Sequence, residues 1–114
     1  MFKLSNGWTK ERVMEQIRKY NNGTRSEVSE DGEINCLYKA PNGNRCAIGC
    51  FIPDDHPSLE WEGGVLHLKR IYPELMKLMP FDEPMALLAF QRSHDNSDGD
   101  VYQSVQHFLN CEVE

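Results

Sequence analysis

The segment Pro41-Asn42-Gly43-Asn44 constrains this chain more than any other, because it separates two runs of alternating polarity. Asn-Gly accommodates the positive backbone angles of a tight reversal, and alternation on both sides predicts antiparallel strands over 34–40 and 45–52. Burial sets the register. Ile34, Cys36 and Tyr38 share a face with Cys46, Ile48, Cys50 and Ile52 only if Pro41 faces Arg45 around a bulged loop, Asn42-Gly43-Asn44. That register places Cys36 opposite Cys50, with Cys46 on the same face. Pro53 and Pro57 then end the sheet, since neither can donate to a ladder.

Helical spacing accounts for most of the remainder. Thr9 is placed to cap a first helix whose apolar stripe is Val13, Met14, Ile17 and Tyr20, with Trp8 stapled to Val13 and Asn21-Asn22-Gly23 ending it. Residues 24–33 are polar and aperiodic and read as a loop. Val65, Leu68, Ile71 and Tyr72 suit a short helix that breaks before Pro73, and Pro73 can open another turn through Met79. Asp82 is positioned to cap a third helix, Glu83–Ser93, with Met85, Leu87, Leu88 and Phe90 inside. Asp100 with Gln103 forms a capping box for a fourth, whose buried stripe is Val101, Val105, Phe108 and Leu109. The expected architecture is one α+β domain over residues 1–114, a small antiparallel β-hairpin or sheet packed against about four short helices.

Composition narrows the function classes. A chain of 114 residues can enclose one core without crosslinks. The longest apolar run, 85–90, falls far short of the ~20 residues that span a bilayer. Nothing in residues 1–7 resembles an export signal, so a cytoplasmic location with reduced thiols at Cys36, Cys46, Cys50 and Cys111 is expected. The net charge of −6 is uneven: residues 1–27 hold six Lys/Arg against three Glu, residues 28–114 six against fifteen Asp/Glu. Direct nucleic-acid binding is disfavoured, because phosphate contacts need the opposite balance.

Three constellations could carry chemistry. Cys36, Cys46 and Cys50 read first as core thiols; only Cys46-x₃-Cys50 has zinc-like spacing, so no metal or other cofactor is assigned. Gln91 and Asp95 continue the Leu87 stripe at i+4 and i+8, with His94 beside them. This group reads as a helix C-terminal cap with a local ion pair, or else as the acid–base half of a thiol hydrolase comprising Cys46, His94 and Asp95. The acidic loops, Asp54-Asp55 and Asp95 with Asp98 and Asp100, suit turns and caps. They lack the ligand spacing of a calcium loop, but they could steer a basic partner. Phosphate loops, nucleophile elbows and zincin motifs are absent.

The stretch Asn35-Cys36-Leu37-Tyr38-Lys39-Ala40-Pro41-Asn42-Gly43-Asn44-Arg45-Cys46-Ala47-Ile48-Gly49, continuing through Phe51-Ile52-Pro53-Asp54-Asp55, together with Glu62-Gly63 and Phe90-Gln91-Arg92-Ser93-His94-Asp95, resembles a family of small bacteriophage, prophage and bacterial proteins of uncharacterised function. The resemblance covers residues 34–95 and implies no activity. Phe90 stands where that pattern has Leu, and Cys50 where it often has an aliphatic residue. Short acidic phage proteins are often accessory factors. The resemblance therefore implies a non-enzymatic protein that binds and modulates a host macromolecule, host-defence and CRISPR components included. The alternatives are a small-ligand binder using the Cys46/His94 region and the thiol hydrolase.

Overall fold

The computed structural model describes residues 1–30 and 33–114; along 28–30 and 33–36 it describes the backbone alone. Four α-helices form its frame: α1 Lys10–Tyr20, α2 Val65–Ile71, α3 Pro84–Asp95 and α4 Val101–Glu112. Short 3₁₀ segments at Gly49–Phe51, Pro57–Glu60 and Pro73–Leu78 fill the connections. The strand pairing among the described residues is a short antiparallel ribbon, β1 Glu27–Glu30 against β2 Glu33–Cys36, with Glu27 opposite Cys36.

The expected α+β arrangement is therefore overturned. This is a helical domain, and among the described residues no sheet forms beyond that short ribbon. The predicted 34–40/45–52 hairpin reduces to one isolated bridge, Lys39 with Arg45, so Pro41 does not face Arg45. The turn itself exists: the Ala40 N–H donates to the Asn44 carbonyl (2.8 Å) and the Gly43 N–H to the Ala40 carbonyl (2.9 Å). Beyond it the chain coils into a 3₁₀ turn instead of extending. Ala47, Gly49 and Phe51, which a half-exposed strand would turn to water, are as buried as Ile48 and Cys50. An apolar run of that length does not distinguish a strand from a buried turn. Residue 49 settles the geometry here, since a β-carbon on Gly49 would come 2.1 Å from the Tyr38 carbonyl oxygen. Because Cys36 pairs with Glu27, its backbone is not across from Cys50, and its side chain lies outside the described residues.

Side chains take the hydrogen bonds that a hairpin ladder would have used. Asn21 Nδ2 donates to the Arg45 carbonyl (2.6 Å) and the Thr24 carbonyl (2.9 Å), while the Ser26 hydroxyl donates to the Asn44 carbonyl (3.0 Å). Asn44 Oδ1 accepts from the Asn22 N–H at 2.9 Å. These buried polar groups fasten the end of α1 to the 40–45 turn. The 24–33 stretch is likewise not all loop, since β1 and part of β2 fall within it.

The helices form largely where spacing and caps predict them. Thr9 accepts from the Arg12 N–H and Asp100 from the Gln103 N–H. The break before Pro73 and the turn after it both occur. α3 begins later than expected, at Pro84, with Glu83 and not Asp82 at its cap, and Met85 is exposed where burial was expected. α4 packs on both α1 and α3 around an aromatic cluster in which Phe81, Phe90 and Phe108 lie with ring centroids 5.6–6.1 Å apart. Phe51 brings the 3₁₀ turn edge-on to Phe90 at 5.8 Å, with Trp8 against its other side at 4.8 Å. Offset and edge-to-face contacts of this kind add to the burial energy of the rings.

Candidate functional site

The coil at 46–52 and the end of α3 face each other, and their polar groups join in one network. The Ile48 N–H donates to Gln91 Oε1 (3.0 Å), and Gln91 Nε2 donates to Asp95 Oδ1 (2.9 Å). His94 is fully buried. Its Nε2 accepts the Ser26 N–H at 2.9 Å and its Nδ1 lies 2.8 Å from Asp95 Oδ1. A ring nitrogen that accepts a backbone N–H carries no proton, so the single proton of a neutral imidazole sits on Nδ1 and points to Asp95. Two donors therefore converge on Asp95 Oδ1, whereas Oδ2 takes no hydrogen bond among the described residues.

Asp95 is half-buried and stands on the wall of a cavity of about 190 Å³. Cys46, Gln91, Tyr38 and Gly63 also line it, with Leu88 and Val65 as apolar walls and the exposed Arg92 on its lining. The Tyr38 hydroxyl donates to the Gly63 carbonyl (2.8 Å), and its ring stacks on Trp61 with centroids 6.2 Å apart. Trp61 in turn lies so close to residue 63 that a β-carbon there would be 2.4 Å from the indole. The Glu62-Gly63 segment is thus held against the aromatic pair by the lack of a side chain.

Three shifted groups bear on chemistry. Burial pushes the Cys46 thiol up to about 12, the Gly49 N–H bonded to its sulfur (3.3 Å) opposes the shift, and the Asp95 charge adds to it. Cys50 is raised for the same first reason, burial, with the neighbouring Cys46 contributing. Tyr38 also moves up, through burial and then the nearby Cys46 and Asp95. The site therefore holds a protonated thiol beside a carboxylate, the reverse of what a cysteine nucleophile needs.

The expected trio is only partly assembled. Asp95 and His94 are bonded to each other, but both nitrogens of His94 are occupied by Asp95 and Ser26, leaving none to accept a proton from Cys46. The acidic residues do not converge. Asp54 is the counterion of the buried Arg45, whose guanidinium also donates to the Ile52 carbonyl (2.8 Å) and lies 4.6 Å from the centroid of the Tyr20 ring. Asp55 is exposed beside Asp54 on a pocket of about 500 Å³ shared with Lys39, His56 and Glu60. Asp98 is exposed, and Asp100 is spent on the α4 cap. Among the described residues no three His, Cys, Asp or Glu side chains are grouped to hold a metal ion.

No family model matches this chain, and neither curated proteins nor solved structures yield a match. Nor, among the described residues, is any helix long and apolar enough to cross a membrane. The site rests on its own geometry.

Sequence reasoning reached Gln91, His94, Asp95 and Cys46 but not the cavity that joins them to Tyr38, Leu88 and Gly63. The signal was present in α3, where Leu88, Gln91, Arg92 and Asp95 follow i, i+3, i+4, i+7 spacing and so share a face.

Proposed function

We propose that this chain is a non-catalytic binding protein that engages a protein partner through the outer face of α3, with the cavity receiving one partner side chain. The size of the cavity supports this reading most. About 190 Å³ lies below the ~300–1,000 Å³ typical of sites that enclose a whole small molecule, yet it accommodates one side chain. Its surroundings suit a larger contact. Met85 is 62% exposed one turn before Leu88 on the same face of α3. A large apolar side chain left bare on the helix face that lines a cavity is surface that a protein partner can cover. Such a role agrees with what the resemblance implies, an accessory phage-type protein acting on a host macromolecule, defence components among them. The thiol-hydrolase alternative is opposed by the protonated Cys46 and the fully engaged His94.

The test is recovery of the tagged protein from host lysate, followed by affinity measurements with the partner so identified. Met85→Glu should weaken binding by about tenfold or more without altering the fold, because the side chain is exposed. Asp55→Lys and Asp98→Lys should change it little. The reverse pattern, with Met85→Glu silent and the two reversals abolishing binding, would transfer the function to the acidic loops and overturn the reading.

A further inference from the structure

We infer that the side chain taken by the cavity is cationic, an ammonium or guanidinium at the end of an aliphatic stem, with Asp95 Oδ2 as its counter-charge. This rests on the reading of the cavity as a side-chain receptor and adds its chemical class.

The polar inventory of the cavity decides the class. Oδ1 of Asp95 accepts from Gln91 and from His94, and those two side chains are themselves held by the Ile48 N–H, which donates to Gln91 Oε1, and by the Ser26 N–H, which donates to His94 Nε2. The carboxylate is thus fixed from behind in two relays, and its second oxygen is left without a protein donor among the described residues. Preorganised acceptors of this kind bind a charged donor without a reorganisation cost. The other interior groups do not neutralise it. Cys46 keeps its proton, and the Tyr38 hydroxyl is committed to the Gly63 carbonyl. Arg92 is exposed and forms no ion pair with Asp95 among the described residues, so its guanidinium does not occupy the second carboxylate oxygen. Leu88, Val65 and Leu37 supply walls for a methylene stem. Only one carboxylate oxygen is free, so the site offers no two-pronged clamp that would single out arginine over lysine.

The experiment titrates the full isotope-labelled chain with four probes: the N-acetyl amides of lysine, arginine, norleucine and glutamate. Resonances of the Gln91 side-chain amide and the Ile48 N–H report on the cavity. The lysine and arginine probes should shift them in the millimolar range, and norleucine, which has the stem without the charge, should bind about tenfold more weakly. Asp95→Asn, which can still accept from His94 and Gln91, should remove that difference. Norleucine binding as well as lysine, or glutamate alone shifting the signals, would overturn the cationic class and leave the receptor cavity standing. Silence from all four probes would overturn the receptor reading itself. The comparison between probes on the unmodified protein needs no variant to fold.

Discussion

Gly49 occupies a position where the Tyr38 carbonyl stands in the place of a side chain, and it makes the sharpest single-residue prediction. Gly49→Ala drives a β-carbon to 2.1 Å from that oxygen and has to displace backbone, so a loss of about 3 kcal/mol is expected in urea unfolding. The thiols give a second test, with a defined sign. Cys46 ionises near 9 in a solvated chain and near 12 in the folded one. Between those values the unfolded chain binds fewer protons, so stability falls as pH rises through the window and is indifferent to this group below it. The fall is at most about 1.4 kcal/mol per pH unit for each such group, and Cys46→Ala should flatten the slope. At neutral pH a thiol reagent should modify Cys111 in the folded protein and reach Cys46 and Cys50 only on unfolding, as their burial requires.

At the scale of elements, what was legible in the sequence was whatever depends on neighbours within a turn or two. The caps at Thr9 and Asp100, the break before Pro73 and the stripe of α4 are local, and the fold keeps them. Thr9→Ala and Asp100→Ala should each cost about 1 kcal/mol of stability, measured by thermal or denaturant unfolding. The coil at 46–52 was not legible, because its direction is set from a distance. Asn21 and Ser26 take carbonyls of the 44–45 segment, and Gln91, more than forty positions away, takes the Ile48 N–H. The β1–β2 ribbon escaped notice for the opposite reason, since Glu27–Glu30 has too little apolar alternation to mark a strand. For the site, the α3 residues could be grouped by spacing, whereas Tyr38 read as strand core and Gly63 entered only through the resemblance. Arg45 and Asp54 separate two meanings of an acidic residue. Arg45 is 3% exposed, so Asp54→Asn leaves a buried cation without its counter-charge and should cost about 1–2 kcal/mol, discounted because Asp54 itself faces water. The adjacent Asp55→Asn should stay within about 0.5 kcal/mol of the parent.

At the scale of the whole molecule, the segments at either end of the sequence are tied together. The Phe2 N–H donates to the Glu112 carbonyl (2.8 Å), the Glu114 N–H donates to the Phe2 carbonyl (2.9 Å), and Val113 is fully buried between them. Val113→Ala should therefore lower stability by about 1–2 kcal/mol, an effect out of proportion to its place beside an exposed glutamate. The same closure imposes an order on events as the chain is made. Lys10–Tyr20 leaves the ribosome before α4 does, with Val13, Met14 and Ile17 on one face, and a main part of what covers that face, α4, is synthesised some eighty positions later. Phe2 waits longer still for Glu112 and Glu114. Between the making of α1 and that of α4, then, the apolar face of α1 has the 49–51 turn against it but not yet α4, and part of it stays open to other apolar surfaces during that interval.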